Sequence, residues 1–132
     1  MDFELQDEEK GLSACETLLM KIIWDADHDV STNELMEALK VRFNKDYSRT
    51  TVATFLLRLT GKGFVRTYRN GRNSYARAMK SEDEYRQKVL EEQTNFWYGG
   101  KPSNMIAALC SADAISEEEA RRIREILDGM DI

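Results

Sequence analysis

The sequence predicts a mainly α-helical protein with a small β-hairpin. Helix-start signatures recur along the chain, and apolar residues follow them at helical spacing. One Asn-Gly dipeptide separates two short runs that are typical of strands. A length of 132 residues suffices for one domain, or for a small domain with an appendage.

The first half of the chain contains three predicted helices, each preceded by a Ser that can cap it. They run from Ser13 to about Asp25, from Ser31 to near Phe43, and from Ser48 to about Gly61. Glu16 and Glu34 stand three residues after the first two Ser residues, which is the pattern of a capping box. The predicted core faces are Leu18, Leu19, Ile22 and Ile23, then Leu35, Met36 and Leu39, then Val52, Phe55, Leu56 and Leu59. We expect Ala26–Val30 to form a polar turn.

A β-hairpin is predicted after the third helix, from 64–69 and 72–77. Asn70-Gly71 between these runs favours a type I′ turn, because both central residues of that turn need positive φ. Three short helices followed by a hairpin is the order of a winged helix-turn-helix.

The second half of the chain reads as three further helices. Ser81 opens one that ends at Tyr98 before Gly99-Gly100, a short one covers Asn104–Ser111, and Ser116 opens the last. These helices are too few and too short to form a large core of their own, so a second copy of the chain is expected to cover their apolar faces. The sequence thus predicts a winged-helix domain at 12–80 and a helical dimerisation region at 81–132. The expected dimerisation residues are Met105, Ile106, Leu109, Ile123, Ile126 and Leu127.

Charge is distributed unevenly along the chain. The net charge is −5, yet residues 48–80 contain eight basic residues and no Asp or Glu. A concentrated basic segment is typical of proteins that bind nucleic acid, because neutralised phosphates release their counterions. A solvated basic face is the alternative reading, which the helix-turn-helix order disfavours.

Double-stranded DNA is therefore the expected ligand of the third helix and the hairpin. In helix-turn-helix proteins the second helix of the pair enters the major groove. Arg can donate two hydrogen bonds to guanine, Thr methyl groups can pack on thymine, and a helix N-terminus can hold a phosphate. The candidate DNA-binding residues are Ser48, Arg49, Thr50, Thr51, Thr54, Arg58, Arg69 and Arg72.

Other chemistry finds little support in the sequence. His28 is the only histidine and is expected to be exposed, which excludes a cluster of histidines and an HExxH metal motif. Cys15 and Cys110 are expected to be buried free thiols, and Trp24 and Trp97 core residues. We therefore expect no enzyme activity, no cofactor and no metal.

No apolar run reaches membrane-spanning length, and the acidic segment 1–10 is unlike a secretory leader. We therefore expect a cytoplasmic protein without direct membrane binding.

Several segments together resemble the penicillinase-repressor family of winged-helix regulators. These segments are 12–16, 20–24, 33–35, 45–48, 51–54, 58–59, 62–63, 71–72 and 81–85, with Gly99-Gly100 and 116–119 in the second half. The resemblance covers nearly all of residues 12–128. It implies a homodimeric repressor in which the winged helix binds a palindromic operator and the three C-terminal helices form the dimer.

The chain also departs from this family's pattern. The best-known members carry Lys where this chain has Thr50, Lys or Arg at Ala53, and often Pro at Arg49, so the base-reading set differs. The resemblance allows a membrane sensor protease as a further partner. However, the Asn-Phe bond cut in antibiotic-linked members is not matched: 107–109 is Ala-Ala-Leu, and Asn95-Phe96 lies earlier. Copper sensing is not expected, because the tail contains only Cys110.

These observations together predict a DNA-binding transcriptional repressor that acts as a homodimer on a palindromic operator. The alternative is a winged-helix module that binds proteins without specific DNA binding, its acidic flanks holding a basic partner. The basic segment 48–80 disfavours this alternative, because it would repel such a partner.

Overall fold

A computed structural model describes residues 11–130, in which six helices and three strands follow one another. They are α1 (Ala14–Asp25), β1 (Val30–Ser31), α2 (Thr32–Phe43), α3 (Arg49–Gly61), β2 (Val65–Asn70), β3 (Asn73–Ala78), α4 (Glu82–Tyr98), α5 (Pro102–Ser111) and α6 (Glu117–Asp128). The predicted class, mainly α with a small β-hairpin in winged-helix order, is confirmed. The acidic segment 1–10 lies outside the described residues.

The helix starts follow the predicted Ser caps. Ser13 and Ser31 each accept a hydrogen bond from the third residue of their helix, and the Glu at that position accepts one from the cap backbone in return. Ser48 and Ser116 cap α3 and α6 through their side chains. Each cap satisfies first-turn amides that have no partner within the helix, which defines where the helix begins.

The sheet contains a strand that the sequence analysis missed. Val30 and Ser31, at the end of the segment expected to be a polar turn, form β1 and pair with Ala76 and Tyr75 of β3. The sheet order is β1-β3-β2, with both pairings antiparallel. Two residues show no periodicity in sequence, and β1 exists because β3 offers it an open edge.

The hairpin turn lies one residue later than predicted. Asn70 pairs with Asn73, so the two-residue loop is Gly71-Arg72 and not Asn70-Gly71. Gly71 has a φ of 68°, whereas Asn70 and Arg72 are not among the residues with positive φ. Positive φ at the first loop position alone is the pattern of a type II′ turn, which places Gly there. The type I′ prediction is therefore wrong, and Arg72 occupies the tip of the hairpin.

One hydrophobic core lies where α1, α2 and α3 pack against one another and the sheet. Its buried apolar residues are Leu19, Met20, Ile22, Ile23, Val30, Leu35, Leu39, Val52, Leu56, Leu59, Phe64, Val65 and Ala76. The predicted helix faces are thus confirmed, with Leu18, Met36 and Phe55 packed half-buried at the margin. Trp24 also packs at this margin, and its indole donates to the Lys80 carbonyl at 2.9 Å.

A buried ion pair joins the start of α1 to the end of α3. Glu16 is 1% exposed, and its Oε1 accepts hydrogen bonds from the Ser13 amide at 2.8 Å and from Lys62 Nζ at 2.6 Å. Lys62 is the C-terminal cap of α3. Burial alone would raise the pKa of Glu16, but the hydrogen bonds from Lys62 and Ser13 outweigh it and hold that pKa below 4.5.

The chain divides into two compact units, with the boundary after Tyr85. In the second unit, Gly99 and Gly100 both have positive φ, and the Gly100 amide bonds to the Thr94 carbonyl, which ends α4 as predicted. Helix α5 begins at Pro102, two positions before its predicted start, because Pro suits the first turn of a helix. The assignment of the two halves to DNA binding and dimerisation stays a prediction.

Two burial predictions for the second unit are wrong. Trp97 is 66% exposed and Cys110 is exposed as well. No residue of α5 or α6 is buried. Apolar content alone indicated burial for these residues, but three short helices in one chain have no partner surface large enough to cover them.

We predict that Lys62→Met destabilises the fold in a pH-dependent manner. At neutral pH the substitution leaves the buried Glu16 carboxylate without its cation, and the free energy of unfolding should fall by about 3–5 kcal/mol. Because the wild-type pKa of Glu16 lies below 4.5, its stabilising effect is present above that pH and is lost as the pH falls through the folded value. Urea unfolding should therefore show a smaller cost well below pH 4.5. Lys40→Met, at an exposed position of α2, is the control, and its free energy of unfolding should change by no more than about 0.5 kcal/mol. A destabilisation by Lys62→Met that is equal at neutral pH and well below pH 4.5 would contradict the prediction.

Candidate nucleic-acid interface

The exposed surface of α3 carries half of the eight predicted DNA-binding residues. Arg49, Thr50, Thr54 and Arg58 are all exposed there, while Val52, Leu56 and Leu59 hold the opposite face in the core. A core-facing stripe at this spacing leaves the rest of the helix surface to solvent. The fold thus presents these four side chains to solvent from one helix.

The first turn of α3 is tightly capped. Ser48 Oγ accepts from the Thr51 amide at 3.2 Å and donates to Thr51 Oγ1 at 3.0 Å. Both hydroxyl groups therefore already serve the cap, and a direct contact of either with DNA stays a prediction. The first turn contains no acidic residue, so its positive end is available to an anion.

Arg49 is oriented by a neighbouring helix. Its guanidinium donates to Oδ1 of Asn33, an exposed residue of α2. Further along α3, the Thr54 hydroxyl donates to the Thr50 carbonyl at 3.0 Å, and the Arg58 guanidinium lies 6.0 Å from the centroid of the Phe55 ring. Asn33 gives Arg49 a defined direction before any ligand arrives.

The hairpin adds three exposed arginines, Arg66, Arg69 and Arg72. Arg72 stands in the turn itself, and its carbonyl accepts from the Arg69 guanidinium at 3.4 Å. Tyr68 and Tyr75 stack across the two strands with ring centroids 5.6 Å apart, which stiffens the hairpin below its tip.

Two cations of the basic segment are paired with acids from elsewhere in the chain. Arg77 donates to both carboxylate oxygens of Asp29, with an Nη2–Oδ2 distance of 2.9 Å, and the Tyr68 hydroxyl donates to the same carboxylate. The hydrogen bonds from Arg77 and Tyr68 lower the pKa of Asp29. Lys62 pairs with Glu16, as described above. Among the described residues, no carboxylate forms an ion pair with Arg49, Arg58, Arg66, Arg69 or Arg72.

A cleft of about 520 Å³ separates α3 from the hairpin. Three of the predicted residues, Arg49, Arg69 and Arg72, line it together. Ser48, Thr50, Thr51, Thr54 and Arg58 are not among its lining residues. No acidic side chain is found among the described residues that line the cleft, so its lining side chains carry a net positive charge.

Two residues of this cleft are not among the residues predicted from the sequence. Asn33 and Leu57 both line it, and Leu57 is 73% exposed on α3. Its position could have been found from helical spacing, because it lies seven residues after Thr50 and three after Thr54. Asn33 carried no such signal, since its proximity to Arg49 depends on how α2 packs against α3.

The comparisons with known proteins bear on the whole described chain. A family model described as Penicillinase repressor matches residues 12–129. The chain belongs to this family. The penicillinase repressor of Staphylococcus aureus is 24% identical over 119 residues, covering 90% of this chain and 92% of the relative. That of Bacillus licheniformis is 28% identical over 117 residues, covering 89% of each.

Two further matches carry related names. The methicillin resistance regulatory protein MecI of Staphylococcus aureus strain N315 is 25% identical over 117 residues, covering 89% of this chain and 93% of the relative. The solution structure of the DNA binding domain of the repressor BlaI matches 56% of this chain and 87% of its own, at 31% identity and a TM-score of 0.48. The family resemblance seen in the sequence is confirmed.

The six residues of the predicted dimerisation surface lie on α5 and α6. Ile106 and Leu109 are each 40% exposed, Ile126 is 53% and Leu127 is 55% exposed, and Met105 and Ile123 are half-buried. The segment 107–109 lies inside α5, whereas Asn95-Phe96 lies inside α4. Leu90, Phe96 and Met130 add to the exposed apolar surface of this unit.

His28 is exposed, as predicted, and takes part in a local charge cluster. Its Nε2 lies 2.6 Å from Glu34 Oε2 and its Nδ1 lies 2.8 Å from Asp27 Oδ1. The hydrogen bonds to Glu34 and Asp27 raise the pKa of His28 to about 9.

No group of three or more side chains that could hold a metal ion is found in the part of the chain that the structure describes. Within residues 11–130, no helix is long and apolar enough to cross a bilayer.

Proposed function

We propose that this chain is a DNA-binding transcriptional repressor of the cytoplasm, acting as a homodimer on a palindromic operator. The observation that carries the proposal is the cleft between α3 and the hairpin. Arg49, Arg69 and Arg72 converge on it, and no described carboxylate neutralises them. Membership of the penicillinase repressor family and the similarity to a penicillinase repressor of Staphylococcus aureus support the same conclusion.

In this proposal α3 enters the major groove and the hairpin follows the DNA backbone. Arg69 and Arg72 contact phosphates, because exposed arginines on a hairpin tip reach outward beyond the body of the domain. Arg49, held by Asn33, donates to a guanine edge. The capped first turn of α3 holds a further phosphate on its amides.

The dimer follows from the exposed apolar surface of the second unit. Burying a Leu or Ile side chain is worth roughly 1.5–3 kcal/mol, so leaving Ile126, Leu127 and Met130 half exposed is costly. Pairing two copies covers both faces with one symmetric contact. It also places two α3 helices at half-sites about 34–36 Å apart, or at a multiple of that spacing.

A protein-interaction module is the competing function. Four exposed arginines that form no ion pair with a described carboxylate, Arg49, Arg58, Arg69 and Arg72, would repel the basic proteins that the acidic flanks attract. An enzyme is disfavoured because the described site offers no nucleophile paired with a base. Binding to duplex DNA distinguishes the repressor from both.

We predict that Arg72→Ala and Arg49→Ala affect DNA binding differently. Arg72→Ala should weaken binding to every sequence alike and reduce the slope of log affinity against log salt by about 1, because a phosphate contact is lost. Arg49→Ala should weaken the free energy of binding by about 1–3 kcal/mol on a duplex selected from a random library and by less on random DNA, because the variant loses a base contact. Fluorescence anisotropy at several salt concentrations measures both. Failure of the wild-type chain to select any duplex would refute the repressor proposal, and equal losses on both DNAs would show that Arg49 contacts backbone only.

We predict that Ile123→Asp combined with Leu127→Asp yields a monomer. Two carboxylates on the apolar face of α6 cannot be buried in a symmetric contact. The monomer should lose about 10²- to 10⁴-fold in affinity for the selected duplex, because the second half-site is no longer tethered. Arg121→Gln with Arg124→Gln changes the net charge equally and should stay dimeric. Sedimentation velocity at micromolar concentration gives the oligomeric state; a monomeric wild-type chain, or a dimeric double Asp variant, would contradict the proposed contact.

A further inference from the structure

Leu57 is an exposed apolar side chain in the cleft whose charged lining residues are all arginines. It is 73% exposed, although its neighbours Leu56 and Leu59 are 6% and 0% exposed. It lines the cleft beside Arg49, Arg69 and Arg72. Packing of the fold does not account for Leu57, because so little of its surface contacts the rest of the chain.

Helical geometry places Leu57 on the surface that faces the proposed ligand. It follows Ala53 by four residues and Thr54 by three, and residues so spaced lie side by side on a helix. At a rise of 1.5 Å per residue it stands about 12 Å along α3 from Arg49. The two side chains therefore address different base pairs when α3 lies in a groove.

We propose that Leu57 reads thymine by packing against its C5-methyl group in the major groove. This inference rests on the DNA-binding function proposed above. The thymine methyl is the apolar group that a base pair presents in the major groove, whereas the other edge groups donate or accept hydrogen bonds. A branched aliphatic side chain gains from covering that methyl and gains nothing from a phosphate.

The charge around Leu57 argues for DNA as the occupant. Three arginines flank the cleft and its described lining contains no acid, so a polyanion is attracted to it while an ordinary apolar peptide gains no matching contact for these cations. In the proposed complex the arginines contact the DNA backbone, and Leu57 contacts the edges of the bases. Sequence preference at one position of each half-site would then come from an apolar contact.

The test is a mutant cycle between the protein and the DNA. Wild-type chain selects duplexes from a random library, and each thymine of a selected duplex is replaced in turn by deoxyuridine, which removes only the methyl group. In each half-site, one thymine should be sensitive. Its single replacement should weaken wild-type binding roughly fourfold, which is the effect of one buried methyl group. Leu57→Ala should bind the unmodified duplex more weakly by at least that factor and should not respond to this replacement.

Two further variants serve as controls. Val41→Ala removes an equally exposed (73%) aliphatic side chain from α2, outside the lining of the cleft, and should retain the wild-type response to deoxyuridine. Leu57→Met keeps an apolar side chain and should restore most of the response. Because Leu57 is exposed, circular dichroism should show all variants folded.

The outcomes separate the inference from the function on which it rests. If the wild-type chain selects a duplex but Leu57→Ala responds to deoxyuridine as wild type does, the thymine contact is refuted and the repressor proposal stands. If no thymine replacement weakens wild-type binding, the contact is refuted as well. If the wild-type chain selects no duplex, both are overturned.

Discussion

The buried pair of Glu16 and Lys62 is the interaction on which the geometry of the winged-helix unit depends. One carboxylate oxygen of Glu16 completes the N-terminal cap of α1 and also binds Lys62, the C-terminal cap of α3. Lys62 in turn donates to the Gly11 carbonyl at 3.1 Å, so the chain entering α1 is held at the same point. Because β2 begins three residues after Lys62, this contact fixes where α3 ends and where the hairpin departs. The hairpin that lines the cleft with α3 leaves the chain directly after this junction.

A second carboxylate performs the corresponding task at the base of the hairpin. Asp29 precedes β1 and receives hydrogen bonds from Arg77 and Tyr68 of the two long strands. The Glu16–Lys62 and Asp29–Arg77 ion pairs each contain one cation of the basic segment 48–80. The arginines near the hairpin tip are in neither pair and are exposed to solvent. The cations of this unit therefore divide into those that pair with acids of the fold and those that stay exposed without an ion pair to a described carboxylate. The second unit differs, since its helices expose large apolar side chains.

Features determined by local chemistry could be predicted from the sequence. The Ser caps, the apolar faces of α1 to α3 and the glycine stop of α4 depend on residues within one or two turns, and they were located almost to the residue. The pairs that join distant segments could not be predicted: Glu16 lies 46 residues from Lys62, and Asp29 lies 48 from Arg77. The position and the type of the hairpin turn both differ from the prediction by a shift of one residue, because the Asn-Gly pair indicates that a turn is near while the register depends on pairing along both strands. The candidate site could be predicted as residue types on α3 and the hairpin. Asn33 joins it through the packing of α2 on α3, and Leu57 through an exposure that helical spacing also indicates.

The central claim is that α3 and the hairpin form one DNA-binding surface. Backbone amide shifts of isotopically labelled chain, recorded as a selected duplex is added, test this most directly. The account predicts that the largest shifts fall on residues 48–58 of α3 and on 66–73 of the hairpin, with smaller shifts at Asn33. Shifts confined to α4–α6, or an α3 whose amides do not respond while the duplex binds, would contradict the account.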